Sequence, residues 1–199
     1  FATDGVYVAL SSGDPETGFL AMTRWVNQFG YNAGGWRVGV HPRMMTDVNG
    51  DGMADIVGFG GTGTNVAISA SPFPDKITGI TTGLGAVTSF EYKHLTDPNI
   101  YTKGSHPLVG KPPIELDITP PTAVVSRFTT DDGIGEKIGV NYHYDGLRVN
   151  TRGLGSLGFK TVTTTDESTG IVTKTTYNQA FPTVGMPEQT VRTLNGIDL

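Results

Sequence analysis

The chain has 199 residues, with 28 Gly, 12 Pro, no cysteine and a formal net charge of -5. That length buries a real core in one or two domains, while the acidic balance argues against nucleic-acid affinity and against a polybasic membrane surface. Disulfides and thiolate metal sites are excluded, and no window approaches the roughly 18 consecutive apolar residues of a bilayer span.

From the amino end, Val6, Val8 and Leu10 alternate with Tyr7, Ala9 and Ser11, the period of a half-buried strand. Two further short strands are expected at Trp25-Val26-Asn27-Gln28-Phe29 and Trp36-Arg37-Val38-Gly39-Val40, joined by a Gly/Asn-rich turn over residues 30–35.

The next stretch, Asp47-Val48-Asn49-Gly50-Asp51-Gly52-Met53-Ala54-Asp55, spaces oxygen-bearing side chains as a short calcium loop does. Calcium takes six to eight hard oxygen ligands at about 2.3–2.6 Å, and glycine permits the sharp bend. Asp47, Asn49, Asp51 and Asp55 would supply side-chain oxygens, Met53 a backbone carbonyl and Gly52 the turn. The spacing follows the first half of an EF-hand loop, but the distal glutamate is missing and Ile56-Val57-Gly58-Phe59-Gly60 reads as a buried strand. An Asx-rich turn without metal is the alternative, since Asn, Asp and Gly are also the favoured turn residues.

A repeat follows: Phe1, Gly5, Val8, Ala9 and Ser11 recur as Phe59, Gly63, Val66, Ala67 and Ser69, an offset of 59 − 1 = 58 residues. Such a period signals stacked supersecondary units that cover each other's faces, and about four short strands per unit is the composition of a propeller blade. Because the acidic loop precedes the second copy, a matching loop is expected upstream of Phe1, in a longer protein. The repeat stops at Ser71-Pro72-Phe73-Pro74, an extended connection that sets an expected boundary between domains 1–71 and 72–199.

Beyond it, residues 77–92 are rich in Thr, Val and aromatics and favour strands. Residues 159–165 and 171–177 alternate around Asp166-Glu167-Ser168-Thr169-Gly170, a hairpin by loop length and closing glycine. Gly153-Leu154-Gly155-Ser156-Leu157-Gly158 matches a dinucleotide fingerprint in letters, yet a strand follows where a helix is required, so a strand-connecting turn is expected. His41, His94, His106 and His143 lack paired metal spacing, and Asp131-Asp132-Gly133 suits a turn. No catalytic residue is assigned. Trp25, Tyr31 and Trp36 would stack on a sugar ring or pack between sheets.

Taken together, Phe29-Gly30-Tyr31, Gly34-Gly35-Trp36-Arg37-Val38, His41-Pro42-Arg43 and the run Asp47 to Gly60 resemble FG-GAP/VCBS propeller repeats. The order of Ile80-Thr81-Thr82-Gly83-Leu84-Gly85, Tyr142-His143-Tyr144-Asp145-Gly146, Gly153 to Phe159 and Gly185-Met186-Pro187 is similar to the middle region of SpvB and the Tc insecticidal toxin B subunits. Tyr142 to Gly146 also resembles the tyrosine-aspartate element of Rhs/YD repeats.

The resemblance implies an all-β chain: propeller blades over 1–71, then a β-rich toxin middle domain of stacked hairpins leading toward a Rhs/YD shell. It also implies a secreted, non-enzymatic docking segment that meets a pore-forming A component and an effector-bearing C component. No nucleic-acid or membrane-spanning role is expected. A carbohydrate-binding propeller is the alternative, with glycan near Trp25, Tyr31 and Trp36.

Overall fold

Alternating Val, Thr and aromatic runs produce an all-β chain, and the described residues contain no helix. The structure, a computed structural model, describes residues 1–70, 76–109 and 113–199; the connection expected at Ser71 to Pro74 lies outside them. The chain divides into two compact units, Phe1–Asn49 with Met53–Ser71, and Gly50–Gly52 with Pro72–Leu199.

In the first unit, β1 (Val6–Val8) pairs antiparallel with β2 (Thr23–Val26), and β3 (Arg43–Thr46), β4 (Asp55–Gly60) and β5 (Gly63–Ala67) form an antiparallel sheet in that order. The core is Val6, Phe29, Trp36 and Ile56, with Val26 and Ala67 packed against it. Phe29 is 1% exposed and stacks on Trp36 with ring centroids 5.1 Å apart. Its φ of 63° is left-handed, and Arg43 holds that turn by donating from Nη1 to the Phe29 carbonyl at 2.7 Å. Gly58 is needed where β4 meets these rings, since a Cβ there would come within 2.5 Å of the Trp36 indole.

The strand expected at Trp36 to Val40 is not formed. Val40 and His41 donate backbone N–H groups to the Arg37 carbonyl, and Gly39 takes φ 80°, so the segment closes as a turn and spends Trp36 on the core. Arg43–Thr46 takes the strand position instead, in the register Met44↔Val57 and Met45↔Ile56.

The second unit contains β6 (Gly79–Thr81), β7 (Val87–His94), β8 (Tyr101–Thr102), β9 (Glu115–Asp117), β10 (Ala123–Asp131), β11 (Lys137–Asp145), β12 (Arg148–Asn150), β13 (Gly155–Gly158), β14 (Thr161–Asp166), β15 (Val172–Tyr177), β16 (Pro187–Leu194) and β17 (Ile197–Asp198). Its large sheet runs β17-β16-β15-β14-β11-β10-β7-β6, with β8 added parallel to β11; β13-β12-β9 form a small second sheet. The β14/β15 hairpin closes through Gly170 at φ 70°, with Thr165 opposite Val172.

Alternation gives the large sheet two chemically different faces. One carries an aromatic row: Phe128 to Tyr142 at 6.2 Å, Tyr142 to Tyr144 at 6.1 Å, and Tyr144 to Phe159 at 4.8 Å. On the other, Arg127 lies opposite both Glu91 and Asn141, bonds Glu91 at 2.8 Å and grips Glu167 through Nε at 2.7 Å and Nη2 at 2.8 Å. Between the elements, Asp117 accepts the His106 N–H at 2.6 Å and Arg148 Nε at 2.9 Å. Burial pushes its pKa up, but those donors together outweigh burial and hold the carboxyl below its ordinary value.

Two outcomes follow. Trp36→Ala should lower unfolding free energy by about 3–5 kcal/mol, read by denaturant titration. Hydrogen bonds from Arg127 and then Asn141 hold the Glu167 carboxyl down from 4.5 to about 2. A depressed folded pKa gives stability that is present above the unfolded value, near 4.5, and lost as pH falls toward about 2. Melting curves of Glu167→Gln should therefore show a shallower acid loss across that window than the parent chain.

Candidate functional site

The acidic loop joins β3 to β4, whose closing pair is Thr46 opposite Asp55. Gly50 and Gly52 sit at φ 76° and 80°, where side chains are disfavoured, so the bend depends on both. Space excludes substitution as well: a Cβ on Gly50 would lie 2.9 Å from Thr96 Cγ2, and one on Gly52 the same distance from the Pro121 carbonyl oxygen. Thr96 Oγ1 donates to the Gly50 carbonyl at 2.6 Å.

Asp55 is the residue on which the loop closes. It is 0% exposed, and its carboxylate accepts the Val48 N–H through Oδ2 at 3.0 Å and the Ser69 N–H through Oδ1 at 2.8 Å. One oxygen ties down the start of the loop and the other the segment after β5. Hydrogen bonds to a charged acceptor are stronger than neutral ones, so this group ties both segments to the start of β4.

Of the expected ligands Asp47, Asn49, Asp51, Met53 and Asp55, the first two are exposed, Asp51 and Met53 half-buried, and Asp55 enclosed. Among the described residues no group of three or more acidic or histidine side chains converges into a metal cage. The all-oxygen donor set has the hardness calcium requires. A carboxylate has about four acceptor sites, so two amide bonds at Asp55 do not by themselves preclude a cation.

The other chemistry-bearing candidates are absorbed by structure. Trp36 is 7% exposed inside the core, so it offers no open face to a sugar. Tyr31 is covered by the Arg37 guanidinium, 3.7 Å from the ring centroid, and Trp25 instead lines a cavity with Val6, Val8, Met45, Ile56 and Ile68. Of the three rings, Trp36 is thus enclosed, while Tyr31 and Trp25 keep large exposed areas. Gly155–Gly158 is itself strand β13 rather than a connecting turn, and β14 follows it, so no helix start exists for a phosphate. Asp131 accepts the Val87 N–H at 2.7 Å, and Asp132 accepts those of Ile134 and Glu136 in a turn. His41 Nδ1 receives the Arg37 N–H, while His106 and His143 face Glu115 and Asp145 at 3.4 and 3.6 Å.

Sequence reasoning missed Arg43 as the clamp on Phe29 and Ser69 as a partner of Asp55. Arg43-Met44-Met45-Thr46 has little β-branched or aromatic content; the usable signal was that buried strand β4 needs an antiparallel neighbour just before the loop.

Compared with known families, residues 26–185 match the model described as the insecticide toxin TcdB middle/N-terminal region. No curated protein and no solved structure matches the chain.

The carboxylate's role has a direct check. Asp55→Asn leaves one acceptor oxygen and turns an NH2 toward a backbone N–H, stranding a buried donor. Unfolding measured in excess chelator should show a loss of about 1–3 kcal/mol.

Proposed function

Because the chain belongs to the family of the insecticide toxin TcdB middle/N-terminal region, we propose that it is a non-catalytic scaffold and docking segment of a secreted, Tc-type toxin component. The observation that carries this reading is the match across residues 26–185, which takes in parts of both units. Its partners, on this proposal, are the pore-forming A component and the effector-bearing C component. What supports a passive role is that Asp55, Asp131 and Asp132 accept backbone N–H groups, while His41, His106 and His143 lie against neighbouring polar groups. Among the described residues no helix is long and apolar enough to cross a membrane.

Calcium belongs to the same proposal. Its ligands would be Asp47, Asn49, Asp51 and Asp55 through side-chain oxygens and Met53 through its carbonyl, and the bound ion would neutralise acidic groups gathered around one bend. What supports this is the oxygen-only donor set and the two positive-φ glycines. The ion's contribution would be stability, added to a loop that Asp55 already closes.

Each half has its own test. An immobilised pore-forming A component should bind the chain saturably, and no binding at tens of micromolar chain would contradict docking. Adding calcium to chelator-treated protein should raise the melting temperature, since an ion at 100 times its Kd stabilises by about 2.7 kcal/mol. Magnesium should do less, and Asp51→Ala should abolish the gain; an unchanged melt removes calcium from the account.

A further inference from the structure

We propose that the outer edge of β5 is an acceptor site for an extended strand of another polypeptide, added antiparallel in the manner in which β2 pairs with β1. The 58-residue repeat carries the argument. Ala2 pairs with Gly5, and 58 residues later Gly60 pairs with Gly63, so the same tight hairpin opens both copies. β1 and β5 are thus equivalent strands, with Val6 and Val8 at the positions of Thr64 and Val66.

Their outer edges differ. β1 is covered by residues 19–26: Leu20 donates to the Leu10 carbonyl, Ser11 bridges Phe19, and Val6 and Val8 pair with Val26 and Thr23 of β2. Shifted by 58, the covering segment becomes residues 77–84. There β6, Gly79–Thr81, is hydrogen-bonded to β7 in the second unit's sheet. Among the described residues, β5 therefore ends its sheet, and Gly63 to Val66 are all exposed.

Alternation says which groups wait there. A two-residue turn closes on a hydrogen-bonded pair, here Gly60 and Gly63, so Gly63, Asn65 and Ala67 direct their N–H and C=O groups toward β4. Thr64 and Val66 direct theirs outward. Strand addition to such an edge draws affinity from backbone bonds and specificity from side-chain pockets. Ala67 and Ile68, at the far end of β5, help line a cavity of about 550 Å³ together with residues of β1 to β4, so that cavity opens on the face of the sheet and the edge itself offers backbone groups. The occupant's chemistry is that of β2, Thr23-Arg24-Trp25-Val26, an extended segment with large apolar side chains and few charges.

The inference goes beyond docking to the A component, and the two fail separately, because its test uses a peptide. A fluorescent peptide with the sequence of residues 19–28 is titrated into the isotope-labelled 199-residue chain. Saturable binding is expected, with amide shifts at Thr64 and Val66. Val66→Pro removes an outward N–H while sparing the ladder to β4, and should weaken binding about tenfold with the β-sheet circular dichroism retained. A peptide N-methylated at alternate residues should fail to bind the unaltered chain. Absence of binding, or shifts at Val6 and Val8 instead, would overturn the proposal. A concentration-dependent dimer that the peptide dissolves would also overturn it, by showing that the edge takes a second copy.

Discussion

The enclosed carboxylate of Asp55 is the constraint on which the first unit depends. An ionised group taken out of water must recover its solvation from donors at hand, and here two backbone amides do so from positions seven residues before it and fourteen after it. That bond pair sets where β3 turns into the loop and where the chain leaves β5. The register of β4 follows, and with it the cross-strand row Met45, Ile56 and Ala67, of which Ile56 enters the core and Ala67 packs against it. Gly58 then admits the Trp36 indole, and Phe29 completes the packing from a left-handed turn held by Arg43.

The second unit is organised differently. Its long sheet has a side of aromatic rings and a side of matched charges, and the charged side is fastened by one guanidinium shared between two carboxylates. Such a group adds most where its partners are themselves fixed, and Asn141 fixes Glu167 by a 2.8 Å bond.

Much of this was legible in the residues and some was not. Period-two alternation exposed β1, β14 and β15, the run Ile56 to Gly60 exposed β4 as a buried strand, and the repeat was visible as identities 58 residues apart before the paired hairpins gave it a structural basis. Trp36 to Val40 misled because an aromatic and two valines are strand-formers by composition, whereas burial of the indole and a glycine at positive φ decide for a turn. Asp55 was legible as a special aspartate but not as an amide acceptor, since calcium and two N–H groups ask for the same carboxylate at the same place. Ser69 carried no local signal at all: its role is set by the return of β5 alongside β4.

Amide hydrogen exchange in chelator-treated protein separates these readings most directly. If the carboxylate alone closes the loop, the Val48 and Ser69 amides are protected to the same degree as the ladder amides of β4, with no divalent ion present. Exchange at the rate of an open loop for those two amides, restored to slow only when calcium is added, would contradict the account and make the ion, not Asp55, the organising element.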